Sequence, residues 1–276
     1  MRAQTLSLCV PSSACDKKCP YCVSKMTWAP PSDESSWHKN LRKVAHFARM
    51  AQVTDVIITG KGEPSLYLCG SAVNNIMDTF REWPMVLQTN GKRLNGNSFM
   101  VSDLAREGLN VLAVSIDEME QMRSYAPLWE AVRMASPLTA RITVMLTKEA
   151  CGHTFEEWVT AAVENNIRGL SFREITVPTD CEGHSRALAT AKWIREVEDD
   201  ESVKRWIKLF DEKFRMGDTL RRLPYGAVIK DFKGVSVTKF DYCIQDSSGD
   251  HDIRSLVYNQ DGHLYTSWSS PASLIF

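Results

Sequence analysis

The run Cys15-Asp16-Lys17-Lys18-Cys19-Pro20-Tyr21-Cys22 follows directly on the apolar stretch Leu6 to Val10. Its three thiols fall within eight residues, a spacing that suits a compact loop after a strand and not one face of a helix. Thiolates are soft donors, at home on iron–sulfur clusters or zinc. Three of them can hold three irons of a cubane cluster and leave the fourth iron open, and chemistry would take place at that iron. The competing readings are unrelated thiols or a structural zinc site in a non-enzymatic interaction protein. Zinc ordinarily takes four protein ligands from paired Cys-x-x-Cys or Cys/His knuckles. No second pair exists here, so Cys9 or His38 would have to be recruited. The cluster is the favoured reading, with Cys15, Cys19 and Cys22 as its ligands.

Working outward, apolar and β-rich runs recur at helix-sized intervals: Leu6 to Val10, Val56 to Thr59, Met85 to Thr89, Val111 to Ile116, Ile142 to Thr147 and Leu170 to Ile175. The segments between them, Lys39 to Met50, Ala72 to Trp83, Ser98 to Glu107, Leu128 to Met134 and Phe155 to Asn165, carry amphipathic spacing and good helix formers. Repeated strand–helix units predict an α/β protein with a parallel sheet and right-handed crossovers, curved into an open barrel. Such sheets work at the carboxyl ends of their strands. The cysteine loop follows the first strand and Gly62-Glu63-Pro64 follows the second, so both fall on one rim.

After Pro178 the pattern changes. A charged helical stretch, Ala187 to Met216, precedes shorter β-like pieces: Ala227 to Phe232, Val235 to Phe240 across Lys233-Gly234, then Ile253 to Tyr258 and His263 to Trp268 across Asp261-Gly262. Asp-Gly tolerates the positive φ of a tight turn, which predicts a hairpin. The expected division is a core over 1–178 and an α+β extension over 179–276 that closes the barrel and shapes the substrate site.

Composition bounds the rest. A chain of 276 residues, 43% hydrophobic and 24% charged with a formal net charge of -1, fits one large globular domain or a core with an extension. The balance gives no global pull toward nucleic acid. No apolar run reaches the roughly 18 residues of a membrane span, and Met1-Arg2-Ala3-Gln4 lacks a signal-peptide core. A cytoplasmic location without membrane association is the expectation. Of eight cysteines, the five outside the loop (Cys9, Cys69, Cys151, Cys181, Cys243) are scattered singly, which fits a reducing compartment. Cys181 and Cys243 could quench a radical or form a substrate adduct, though small buried residues is the simpler account.

The arrangement Cys-x-x-x-Cys-x-aromatic-Cys, with Tyr21 as the aromatic, resembles the radical S-adenosylmethionine (SAM) superfamily. Val56-Ile57-Ile58-Thr59-Gly60-Lys61-Gly62-Glu63-Pro64 resembles that family's second strand and its Gly-Gly-Glu-Pro segment, with Lys61 in place of the first glycine. The resemblance implies a partial (βα)6 barrel, one 4Fe-4S cluster, oxygen sensitivity, and SAM chelated to the open iron and cleaved by an electron from a donor such as flavodoxin or ferredoxin. It implies SAM contacts from Tyr21, Gly62, Glu63 and Pro64, and from Thr89 and Asn90 at the third strand end, where Asn-Gly is also a common turn. Ser115 and Asp117 at the fourth strand would face the ribose, although Asp117 would also serve as a helix N-cap. Val144 on the fifth strand would offer an apolar edge to the adenine, or be core. Arg173 and Glu174 are ionisable residues in an apolar run and costly to bury unpaired, so they are candidates for catalysis or the substrate pocket, or they satisfy each other or a loop carbonyl.

The function expected is hydrogen abstraction by a 5′-deoxyadenosyl radical from a small-molecule or nucleotide-like substrate. Alternatives are 7-carboxy-7-deazaguanine synthase-like or viperin-like nucleotide chemistry, or modification of a base in DNA or RNA. The polymer version would draw on the basic residues between Lys204 and Arg222. Asp211, Glu212 and Asp218 interrupt that stretch and favour a solvated helix face, so nucleic acid is possible but not the favoured partner.

Overall fold

The computed structural model describes residues 2–68, 70–178, 181–223, 227–241 and 252–276. Cys69, Cys243 and the first residues of the expected extension, 179 and 180, lie outside the described residues. The six expected strands form as β1 (Arg2–Cys9), β2 (Asp55–Thr59), β3 (Met85–Thr89), β4 (Val111–Ile116), β5 (Thr139–Met145) and β6 (Gly169–Arg173), all paired in parallel and in sequence order. Between them run α1 (Glu34–Met50), α2 (Pro64–Tyr67), α3 (Ser71–Phe80), α4 (Ser98–Arg106), α5 (Met119–Ser124), α6 (Ala126–Met134) and α7 (Phe155–Glu164).

Strand alternation sorts the side chains into two environments. Leu6, Leu8, Val56, Ile58, Leu87, Leu112, Val114, Ile142, Leu170 and Phe172 are buried on the helix side, against Leu41, Ile76, Leu104, Leu128 and Trp158. The opposite face carries Thr5, Ser7, Thr59, Gln88, Ser115, Thr143, Ser171 and Arg173, a set too polar for a dry core. Part of it is satisfied across the sheet, Thr5 and Ser7 by Ser255 and Ser171 by Thr238.

The chain continues with α8 (Ser185–Glu198), α9 (Glu201–Met216), β7 (Asp218–Arg222), β8 (Val228–Phe232), β9 (Val235–Phe240), β10 (Asp252–Tyr258) and β11 (Leu264–Tyr265). The stretch expected as one charged helix is two, because Asp200 stops α8 and caps α9 by accepting from the amides of Ser202 and Val203. The β8–β9 hairpin turns through Lys233 and Gly234, both at positive φ, and Gly262 at φ 76° turns β10 into β11. The final strand is only two residues long, shorter than the expected His263 to Trp268.

The sheet order is β11-β10-β1-β2-β3-β4-β5-β6-β9-β8-β7. In a flat sheet β10 and β9 would lie seven strand spacings apart, roughly 34 Å. Yet the Arg254 guanidinium of β10 lies 6.0 Å from the ring centre of Phe240 on β9. The sheet therefore wraps round until its two ends face each other, and the polar face becomes the interior. No helix among the described residues is long and apolar enough to cross a membrane.

Candidate active site

The loop bearing Cys15, Cys19 and Cys22 is fastened to three strand ends. After β2, the amide of Glu63 donates to the carbonyl of Ala14 at 2.7 Å. After β3, the side-chain amide of Asn90 donates to Asp16 at 2.7 Å, and Lys92 donates to the Asp16 carbonyl at 3.2 Å. After β4, Asp117 accepts from Lys17 at 3.2 Å and from the Tyr21 hydroxyl. Burial, then the charge of Asp117, pushes the Tyr21 phenol up, so it remains a donor to that carboxylate. Asp117 is not the cap of α5, a position that Glu118 occupies.

Glu63 is buried and turned inward. Its carboxylate accepts from the Thr89 hydroxyl at 2.5 Å, from the Asn90 amide at 2.7 Å and from the Ser65 amide at 2.9 Å. It thus clamps the end of β3 to the segment after β2, while Pro64 begins α2 with no amide to satisfy. Gly62 is needed because a β-carbon there would collide with the backbone of Ser13 and Ala14. These contacts bring Tyr21, Gly62, Glu63, Pro64, Thr89, Asn90 and Asp117 together around the cysteine loop. Ser115 sits on the interior face of the neighbouring strand. Val144 is not brought there: it is fully buried on the helix side of β5, and Thr143 and Met145 are the residues β5 turns inward.

Inside the barrel lies a cavity of about 210 Å³ lined by Thr5, Ser7, Thr59, Lys61, Gln88 and Arg173, with Phe240, Arg254 and Trp268 among the further walls. Arg173 and Glu174 therefore separate. Arg173 faces the cavity, whereas Glu174 pairs with Lys239 at 2.9 Å, and Lys239 also meets Asp211 and Asp241. Lys61 donates to the Trp28 carbonyl at 2.8 Å and the Thr27 hydroxyl at 3.1 Å, and burial holds its ammonium below the usual lysine range. Arg254 was not singled out from the sequence, although it interrupts the apolar run Ile253 to Tyr258 just as Arg173 interrupts its own. Other polar and aromatic side chains after the cysteine loop are structural. Asp33 caps α1, Glu34 accepts from the Tyr67 hydroxyl, and Trp37 is buried with its indole on the Cys9 carbonyl. Cys181 packs with Tyr21, Met26 and Ile175.

Cys15, Cys19 and Cys22 are free thiols on one loop, and their chemistry fits an iron–sulfur cluster. Among the described residues no three His, Cys, Asp or Glu side chains are already gathered on one point. The loop itself is tethered to its neighbours through Ala14, Asp16, Lys17 and Tyr21. Cys9, which zinc would have to recruit, is buried with its thiol pushed up to about 12 by desolvation, and His38 is engaged with Tyr67 at 2.8 Å.

The fold has known relatives. The structure of SuiB from Streptococcus suis bound to S-adenosylmethionine covers 97% of this chain at 15% identity and a TM-score of 0.56, and another SuiB structure covers 97% at 14% and 0.60. This chain spans 60% of the length of each. Methylornithine synthase (PylB) covers 66% of the chain, which spans 57% of that protein, at 12% identity and a TM-score of 0.45. At these identities the likeness is one of fold. No curated protein matches the chain. The family model described as the radical SAM superfamily matches residues 9–177, more than half of the chain and all of the cysteine loop, the Gly62-Glu63-Pro64 segment and β2 to β6. That family's chemistry rests on a 4Fe-4S cluster and SAM, so the chain, an α/β partial barrel with its thiols on the rim, belongs to the radical SAM superfamily of enzymes.

Proposed function

We propose that this enzyme cleaves SAM reductively and uses the resulting 5′-deoxyadenosyl radical to take a hydrogen atom from a small-molecule or nucleotide-like substrate held inside the barrel. When bound, the cluster supplies one electron that breaks the sulfonium carbon–sulfur bond, giving methionine and the radical. The chain's own residues do the rest. Cys15, Cys19 and Cys22 would hold three irons, and Asp16, Lys17 and Tyr21 fix their loop to Asn90 and Asp117. Glu63 fixes the end of β3 beside it, and Ser115 and Asp117 offer polar groups to the ribose. The interior face supplies hydroxyl, amide and guanidinium groups to orient a substrate and exclude water.

The observation that carries this reading is the direct opening of the polar cavity onto Gly60 and Lys61, beside the loop that bears the thiols. A volume of about 210 Å³ lies below the roughly 300–1,000 Å³ of drug-sized ligand pockets, which favours a small molecule over a polymer. Two of the basic residues between Lys204 and Arg222 support the same choice. Lys204 is spent on Glu201 at 3.1 Å and Lys213 on Glu156 at 2.7 Å. Electrons would come from a flavodoxin or ferredoxin in a reducing, cytoplasmic setting.

Anaerobic incubation with dithionite and SAM tests the proposal. The wild-type chain is expected to form 5′-deoxyadenosine well above a variant in which Cys15, Cys19 and Cys22 are all changed to Ala. Equal traces from both would refute it.

A further inference from the structure

Among the described residues that wall the interior cavity are Lys61, Arg173 and Arg254, and no Asp or Glu. Lys61 is held by Thr27 and Trp28 and lies near Glu182, whereas Arg173 is not engaged in this way. Arg173 has no carboxylate within ion-pair distance among the described residues, and its Nε is buried with no hydrogen-bond partner. Its guanidinium lies 5.3 Å from the Phe240 ring, a contact that leaves its in-plane donors free. Arg141 lies close enough to Arg173 for their like charges to interact, and its own Nε is also buried without a partner. Elsewhere on the same rim the chain does supply counter-charges, since Lys239 meets three carboxylates.

A half-buried guanidinium whose Nε is shut off from water without a partner gains from an anion that joins it. The planar fork of arginine matches the paired oxygens of phosphate and carboxylate groups. The cavity runs from Gly60 and Lys61 at the rim to Thr5 and Ser255 within the barrel. Thr5 lies four residues before Cys9, the end of β1, or about 13 Å along the strand. It therefore extends well below the loop that would hold the cluster.

Resting on the radical SAM reading of this site, we infer that the substrate is an acidic small molecule whose phosphate or carboxylate group is held by Arg173. The anion anchors one end of the substrate in the cavity and leaves the other end free to present the hydrogen that is removed. Arg173 is then a substrate-binding residue.

Calorimetric titration of the anaerobically reconstituted enzyme provides the test, with inorganic phosphate in one arm and malonate in the other. Each is repeated on Arg173→Gln and Arg173→Lys, and SAM is titrated into the same samples. At least one anion should bind the wild type, weaken tenfold or more in Arg173→Gln and recover in part in Arg173→Lys, while SAM affinity stays within twofold. The arm that responds tells phosphate from carboxylate. Absence of binding in both arms, binding indifferent to Arg173→Gln, or a matching loss of SAM affinity would each overturn the inference, the last by assigning the cations to SAM itself. Should Arg173→Gln fail to retain the wild-type melting temperature and iron content, Arg173→Met takes its place with the same criteria. Anion binding that depends on Arg173 in an enzyme that forms no 5′-deoxyadenosine would retain the anion site and reject the radical reading. 5′-Deoxyadenosine formation without such binding would do the reverse.

Discussion

At Gly62 the segment after β2 touches the backbone of Ser13 and Ala14, two residues before the first thiol, with no space for a β-carbon. Neither side of that contact is the flexible end of a side chain, so an added methyl must displace one of two main chains. Overpacking of this kind costs about 1–3 kcal/mol. Gly62→Ala is expected to lower the melting temperature modestly and to reduce iron per chain after reconstitution, because the displaced segment carries Cys15. Wild-type iron and melting temperature together would show that the contact is loose. Glu63→Gln probes the next residue. A glutamine has one acceptor oxygen where Glu63 satisfies three donors with two, so a buried amide or hydroxyl loses its partner. The expected cost is about 1–3 kcal/mol by denaturant titration, and unchanged stability would reject the clamp. The Gly-Glu-Pro motif was legible in the sequence, but its geometry was not. A string of letters does not say that the glutamate reaches across to the end of β3.

Among the elements, α9 shows how much of a helix its charge pattern can conceal. Lys204, Arg205, Lys208 and Lys213 advertise a solvated surface, while Val203, Trp206 and Phe210 recur at helical spacing on a buried face. Phe210 stacks on Trp206 at 5.3 Å and meets Phe172 of β6 at 4.9 Å and Phe155 of α7 at 5.2 Å. This cluster docks the C-terminal helices on the outside of the barrel. Phe210→Ala should cost about 3–5 kcal/mol, measured by urea unfolding, with 5′-deoxyadenosine formation retained at low temperature because the rim is untouched. A loss below 1 kcal/mol would mean that α9 packs loosely. The six interior strands were legible because both their apolar runs and their spacing are unmistakable. β7 was not, since Asp218, Thr219, Leu220, Arg221 and Arg222 are all exposed at a sheet edge, where no burial imposes alternation. Val144 exposes the converse difficulty: a β-branched residue in a parallel strand is apolar whichever face it takes, and only register decides.

Across the whole molecule, the chain ends where it begins. β10 lies parallel to β1 along six register pairs from Arg2 with Asp252 to Leu8 with Tyr258, and β9 lies parallel to β6 from Gly169 with Ser236 to Arg173 with Phe240. The Tyr258 hydroxyl donates to the Trp37 carbonyl at 2.6 Å, and the Asp33 amide donates to the Gln260 carbonyl at 2.9 Å, so the last strands also hold the start of α1. Composition shifts after Pro178, which is why a boundary is legible there, but a shift in composition does not measure how many hydrogen bonds cross it. A chain cut to 1–178 would leave β1 and β6 as open edges with unpaired amides and carbonyls, and would expose Phe172, otherwise covered by Trp206 and Phe210. The expected outcome is an aggregating or molten fragment with no cooperative thermal transition and no near-ultraviolet circular dichroism, whereas the chain of 276 residues melts cooperatively. A monomeric 1–178 fragment with a sharp transition would make the core a domain in its own right. It would also imply that strands paired in one continuous sheet fold as separate units, contrary to the shared edges of β1 and β6.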